Sequence, residues 1–428
     1  MKRIGKMLIL VLTAAMLLSG CVMRTVEQLY CLPKRPQADS NIQTVIDQAM
    51  VGLSYCAPVY GENRQVFQSA DLDGDGINEY VVLARASGEK SLKILIFRQL
   101  AVGYVLTDTI DGYGSTFDFI EFANLDDRPG LEIIVGRQVG DGVVRSAAVY
   151  RFADGKTSQL LEVSYSKFLT HDMDGDGRSE LMLIYPGDSG EISSVVMLYR
   201  YEDGELSRTS QLEILNPVGT IKRMESIILQ DGNTAVLVTS NENNVQTMEI
   251  FTCQAGKLRH VYGPATVEKL NDHFVYPTDA DCDGDTELPE LVPIMGVDGS
   301  QTAERWILWF GVNSAGERSE GMYTYYSYAD KWYLHIDQNW IKKLTVTRSE
   351  GICAFTNMDR ETVMTIYALT GANRKEQAEQ LGGVVLGSSD TVTFTAVLGP
   401  GAKQLGITEQ QLVQLFYPIE LELYTEED

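Results

Sequence analysis

Residues 70–83 read ADLDGDGINEYVVL: three aspartates and two glycines take five of the six positions 71–76, and an apolar run follows soon after. In D-x-D-G-D-G the first, third and fifth side chains, Asp71, Asp73 and Asp75, turn inward if the loop curls. Gly74 and Gly76 permit that curl because glycine tolerates positive φ. Crowded carboxylates repel one another, and a bound divalent cation relieves the repulsion. Hard oxygen donors at this density favour Ca²⁺, with its irregular, roughly six- to eight-fold coordination, over Mg²⁺ and its tight octahedron. A loop that supplies most of the ligands itself leaves little room for an activated water, so the expected role is structural. Asp-Gly pairs also make hairpin turns without any metal, and that alternative stands beside the first.

The stretch recurs. HDMDGDGRSELMLI occupies 171–184 and DADCDGDTELPELV occupies 279–292, with degraded copies ANLDDRPGLEIIVG at 123–136 and ILQDGNTAVLVTS at 228–240. The middle aspartates fall at 73, 126, 174, 231 and 283, spaced 53, 48, 57 and 52 residues apart. A second marker trails each copy, a tight turn flanked by aromatic and apolar residues: IFRQLAVGYVL, VYRFADGKTSQLL, LYRYEDGELSR, IFTCQAGKLRHV and, after a longer gap, YYSYADKWYLHI. The fifth period is read with an insertion around SQTAERWILWFGVNSAGERSE.

Each period holds four short strand patterns separated by turn residues. A four-stranded unit of about fifty residues is the signature of a propeller blade. The expected fold is mainly β: a β-propeller built from about five recognisable four-stranded repeats, plus a small C-terminal α+β domain. Residues 41–340 would form the propeller, opened by a helix over 41–53, and 341–428 the second domain, with Thr408 capping its last helix. Residues 41–66 could supply the closing strand. A sandwich or a solenoid is the competing architecture.

The acidic residue at position nine, Glu79 and Glu180, followed by a strand, resembles the calcium loops of FG-GAP/VCBS repeat proteins, the propeller family that includes integrin α-chain heads. An EF-hand is a poor match, because position twelve is Val82, Leu183 or Val292 and the flanks are strand-like. The resemblance implies one site from Asp71, Asp73, Asp75, the Ile77 carbonyl and Glu79, and a second from Asp172, Asp174, Asp176, the Arg178 carbonyl and Glu180. A third would use Asp281, Asp283 and Asp285; Pro289 holds its ninth position, so Glu290 or Glu287 must substitute. In the copy at 124–132, Arg128 stands where the third acid would be and is expected to supply the positive charge.

The N-terminus carries Lys2, Arg3 and Lys6, then an apolar run from Met7 to Leu17, too short for a comfortable membrane span. It ends in Leu18-Ser19-Gly20-Cys21, which resembles the lipobox of bacterial lipoproteins. That resemblance implies a signal peptide over 1–20, cleavage before Cys21, a diacylglycerol anchor on its thiol, a tether over 21–40 and an extracytoplasmic location at the cell membrane. The whole chain has a formal charge of −24. Residues 1–20 contain three basic and no acidic side chains, so the body carries about −27. Such a body repels nucleic acid and anionic headgroups. Without Cys21, five scattered cysteines remain, which is not a disulfide scaffold.

No H-E-x-x-H, G-x-S-x-G or phosphate-binding glycine loop is present. The expected function is therefore a non-enzymatic binding module for a protein or glycan. The alternative is a cell-surface polysaccharide- or cell-wall-acting enzyme using paired carboxylates in a propeller cleft. All four tryptophans fall between 306 and 340 among tyrosines, so Trp306, Trp309, Tyr323, Tyr325 and Trp332 are candidate ligand-binding aromatics. The competing reading packs them between the last repeat and the C-terminal domain.

Overall fold

A computed structural model describes residues 39–88, 91–139, 145–186, 193–214 and 216–419. Cys21, the signal segment and most of the tether lie outside the described residues. Among the described residues, no helix is long and apolar enough to cross a membrane.

Six antiparallel sheets of four or five strands follow one another along the chain. The first has Phe67–Ala70, Glu79–Arg85, Leu92–Leu100 and Gly103–Gly112 in succession, with Ser54–Tyr55 also paired to Glu79–Arg85. The second contains Thr116–Ala123, Glu132–Gln138, Arg145–Ala153 and Lys156–Tyr165. The third contains Lys167–His171, Glu180–Pro186, Ser194–Glu202 and Glu205–Ile214, and the fourth Ile221–Ile228, Thr234–Glu242, Val245–Gln254 and Lys257–Glu268. Turn chemistry sets the hairpins: Asp154-Gly155 and Asp203-Gly204 have positive φ at both residues, which matches the twist of the flanking strands.

The second strands are apolar on both faces because each interior sheet is covered on both sides. Val81, Val82, Leu83 and Ala84 all have no exposed surface. One hydrophobic cluster joins the first sheet to the second, through Leu83 and Ile96 with Ile120 and Val135. Further clusters join second to third, third to fourth, and fourth to fifth. The result is a row of face-packed sheets. No closed ring is found among the described residues, and no cluster joins the first sheet to the last.

Both ends of the row are covered. The first helix runs Asp39–Ala49, not 41–53, because the chain turns at Met50 and Gly52 adopts a φ of 81°. It lays Ile42 and Ile46 on Val82, Leu95 and Phe97. At the other end the sixth sheet, Leu344–Ser349, Ile352–Asn357, Thr362–Thr370, Val384–Ser388 and Val392–Leu398, packs on the fifth. Helices Arg374–Leu381, Ala402–Leu405 and Glu409–Leu415 complete this C-terminal α+β part. Thr408 caps the last of them in a reciprocal box with Gln411. The chain then returns as Phe416–Pro418 to pair with Trp332–Leu334 of the fifth sheet. The C-terminal part therefore shares its core and one strand with the last repeat.

The fifth sheet corrects the fifth period. Its members are Leu288–Met295, Gln301–Phe310, Met322–Ser327, Trp332–Ile336 and Phe416–Pro418. Leu288 faces Phe310 as Tyr80 faces Phe97, Ile133 faces Tyr150 and Leu181 faces Tyr199. The third strand is thus the segment read as an insertion, and YYSYADKWYLHI forms the hairpin after it.

The aromatic cluster is a core. Trp306, Trp309, Tyr325 and Trp332 are at most 2 % exposed. Trp306 stacks on Phe355 of the sixth sheet at 6.5 Å, Trp332 lies 5.6 Å from Phe416 of the fifth, and Trp309 packs on another side with Leu270, Val275 and Ile307. Replacing Trp332 with alanine should cost about 3–5 kcal/mol of stability through the cavity it leaves. A chemical-denaturation midpoint checks this; a variant as stable as wild type would show that the ring is not part of the core.

Candidate metal centre

The repeated loop is built from its own backbone. Asp71 accepts the N–H groups of Gly74 at 2.8 Å and Gly76 at 3.0 Å, and Asp75 accepts that of Ile77 at 2.8 Å. The N–H of Leu72 donates to Glu79 Oε2 at 2.9 Å, tying the loop to the strand that follows. Gly74 and Gly76 have φ of 74° and 84°, as the curl requires. The copy at 172–180 repeats every bond: Gly175 and Gly177 onto Asp172, Arg178 N–H onto Asp176, and Met173 N–H onto Glu180.

The same bonds fix the register of the third loop two residues earlier than its D-x-D-G-D spacing suggests. Asp279 accepts the N–H groups of Asp283 and Gly284, Asp283 accepts that of Asp285, and Ala280 N–H donates to Glu287 at 2.7 Å. Cys282 and Gly284 take the positive φ of Gly74 and Gly76. Position one is therefore Asp279, position seven is Asp285 and position nine is Glu287. Glu290 is excluded from the loop: it lies on the next strand and pairs with Arg318 at 2.6 Å. The nine-residue frame DADCDGDTE was the available signal for Asp279 and Glu287, hidden by an extra aspartate at position seven.

Neighbouring loops touch. The N–H of position eight donates to the position-one carbonyl of the loop before it, Leu131 to Asp71 at 3.0 Å and Ser179 to Asn124 at 2.7 Å, while Thr286 donates to Ile228, the last residue of the preceding strand, at 3.0 Å. The loops thus lie along one edge of the row of sheets. The fourth, at 229–233, is only a turn, and its Asp231 accepts from Ser314.

In three places a candidate ligand atom from each of several acids falls within 4.8 Å of the others: Asp71, Asp73 and Glu79; Asp172, Asp174 and Glu180; Asp281, Asp283, Asp285 and Glu287. These donor sets could hold a metal ion. Asp75 and Asp176 stand outside the clusters and hold loop N–H groups. Arg178 pairs with Asp176 at 2.7 Å and Asp127 at 2.9 Å, bridging two loops.

The clusters differ in what neutralises them. Arg98 pairs with Asp73, with Asp75 at 3.2 Å and with Glu79 at 3.3 Å. Arg200 pairs with Asp174, with Asp176 at 3.4 Å and with Glu180 at 3.5 Å. In the degraded second copy Arg151 pairs with Asp126 and, at 3.4 Å, with Glu132. Arg128, expected to do this, contributes its backbone N–H to Asp126 at 2.6 Å, and no ion pair with Asp126 or Glu132 joins its side chain. The arginine arrives from the third strand, one residue beyond the aromatic that pairs with the residue after the position-nine glutamate. Its sequence signal was the Phe-Arg or Tyr-Arg pair in the first three copies of the second marker. Each arginine also reaches the next sheet: Arg98 over Phe152 at 5.9 Å, Arg151 over Tyr201 at 5.2 Å, and Arg200 to Cys253 Sγ at 3.7 Å.

Among the described residues, no arginine or lysine pairs with the acids of the loop at 279–287. The register of this sheet begins at Leu288–Phe310, and one step beyond lie Glu287 and Gly311. Burial, followed by hydrogen bonding and repulsion from Asp285 and Asp281, pushes the Glu287 carboxyl up to about 8. Burial and the Asp283 charge also raise Asp281 and Asp285. One oxygen of Asp285 is buried with no hydrogen-bond partner. A hard-oxygen donor set with an orphaned acceptor and no counter-charge fits a divalent cation. Burial likewise raises Glu180, to about 7, and raises Glu79 and Glu132, with the charges of Arg98, Arg200 and Arg128 opposing the shift at Glu79, Glu180 and Glu132 respectively.

Of the candidate aromatics only Tyr323 is half-exposed. It borders an open cleft of about 590 Å³ whose walls include Leu308, Glu320, Gln338, Lys342 and Lys343. Cys56, Cys253, Cys282 and Cys353 are free thiols. No protein-family model matches the chain, and no curated protein matches it either.

Replacing Arg151 with methionine should strand the buried Asp126 and Glu132 carboxylates, a loss of about 3–5 kcal/mol. Arg128→Ala should cost under about 1 kcal/mol. Urea unfolding of both variants separates the two arginines; the reverse order would restore Arg128 as the counter-charge.

Proposed function

We propose that the chain is a lipid-anchored, extracytoplasmic, calcium-binding module of the FG-GAP/VCBS repeat type, whose four-stranded sheets are propeller-type blades and whose exposed face binds a protein or glycan without catalysis. The observation that carries the reading is the loop at 279–287, four carboxylates brought together with no arginine or lysine paired to them among the described residues. Calcium there would neutralise Asp281, Asp283, Asp285 and Glu287 and fix the junction between fourth and fifth sheets. The ion supplies charge and geometry, not chemistry on a substrate. The sequential four-stranded sheets, their face-to-face packing and the loop-to-loop bonds support the blade reading. The lipobox-like Leu18-Ser19-Gly20-Cys21 supports the anchor. Tyr323, beside the cleft with Lys342 and Lys343, is the aromatic best placed to meet a ligand.

Metal content and melting test the calcium reading. The protein purified in Ca²⁺ should retain it through gel filtration, and EGTA should lower its Tm by several degrees, since calcium at about 100 Kd adds about 2.7 kcal/mol. Glu287→Gln should remove most of that response. An identical melt in chelator with no bound calcium ends the proposal. For the anchor, Cys21→Ser should move the protein from the membrane fraction to the soluble fraction; unchanged partitioning would refute lipidation at this residue.

A further inference from the structure

We infer that arginine and metal are alternative occupants of one position in this repeat, and that the residue across from the position-nine glutamate decides which is used. The inference rests on the calcium reading of the 279–287 loop and extends it to the others. The register is the same in all four acidic loops. The pairing of second and third strands ends at Tyr80–Phe97, Ile133–Tyr150, Leu181–Tyr199 and Leu288–Phe310, and the residues one step beyond are Glu79 and Arg98, Glu132 and Arg151, Glu180 and Arg200, and Glu287 and Gly311. In the first three, the guanidinium sits among the carboxylate oxygens that an ion would need: it contacts Asp73 and Glu79, Asp126 and Glu132, or Asp174 and Glu180. The planar fork of N–H donors satisfies several of those oxygens at once, with its charge spread over the group. A divalent cation on the same oxygens would sit within a few ångströms of that charge, and repulsion excludes it.

Gly311 removes the occupant. A Cβ built there would lie 3.6 Å from an Asp285 oxygen and meet no atom closer than the Ser319 hydroxyl at 3.2 Å. A side chain from this position would therefore point at the acidic cluster, as Arg98 and Arg200 do. The loops at 71–79 and 172–180 keep complete D-x-D-G-D-G frames beneath their arginines, so they are latent cation sites. The loop at 124–132 is not, since Asn124 and Arg128 replace two of its acids. Wild-type chain should thus bind one calcium, in the 279–287 loop.

The test is calcium stoichiometry and affinity by titration calorimetry on the full chain in detergent, with melts in Ca²⁺ and in EGTA. Expected values are one ion for wild type, none for Gly311→Arg, one for Gly311→Ala, and two for Arg98→Gly or Arg200→Gly. Arg98→Lys should stay at one, because the charge is kept, and Arg151→Gly should stay at one, because its loop lacks the acids. The Arg98→Gly variant should also melt normally in Ca²⁺ and at least several degrees lower in EGTA, a readout that holds if it folds only with metal. Wild type without any calcium overturns the calcium reading itself. One ion in wild type with no gain in Arg98→Gly and Arg200→Gly, or three ions in wild type, overturns the exclusion of metal by arginine.

Discussion

A carboxylate buried at the start of a strand organises every complete corner of this protein. Glu79, Glu132, Glu180 and Glu287 are each at most 6 % exposed, and each holds the N–H of position two in the loop before it. That bond closes the loop onto its sheet, but it places a negative charge where water cannot solvate it. Aspartates crowd the same space to cap the loop's backbone, which deepens the problem. A cation must sit there or the glutamate must hold a proton. The first three sheets answer with an arginine from the third strand; in the fifth, Gly311 stands at that place, and the acids form a donor set that could hold a metal ion.

The arginines do more than balance charge. By reaching over Phe152, Tyr201 or toward Cys253 of the following sheet, each links the corner of one sheet to the third strand of the next. Position-eight N–H groups join successive loops on the same end. The apolar faces supply the bulk of the adhesion, and these polar contacts set how one sheet is placed on its neighbour. A row assembled in this way exposes an apolar face at each end. The helix Asp39–Ala49 covers one and the sixth sheet with its helices covers the other, the usual need of a stacked array for caps. The strand Phe416–Pro418 fastens the second cap into the fifth sheet.

Much of this is written locally. Glycines at positions four and six, the aspartate at position one and the glutamate at position nine form their bonds within nine residues, so spacing alone predicts the loop's curl and the strand after it. Asp-Gly pairs predict the hairpins, and Thr408 with Gln411 predicts a helix start. The mainly β class and the number of repeats follow from the period.

What lies beyond a few residues' reach was decided by tertiary structure. Arg128 is beside the acids in the chain and its charge favours the Glu132 carboxylate, yet the ion pairs with Asp126 and Glu132 are made by Arg151, brought by strand pairing about twenty residues later, because register aims a side chain across a sheet while adjacency in a turn does not. The frame of the 279–287 loop was obscured by an extra aspartate until its backbone bonds selected Glu287 over Glu290. From composition the tryptophans read as a core between the last repeat and the C-terminal part, with a binding face as the alternative; the sixth sheet over Trp306, Trp332 and Trp340, and Leu270 and Val275 against Trp309, made them core, since burial depends on what a surface meets and no spacing encodes that.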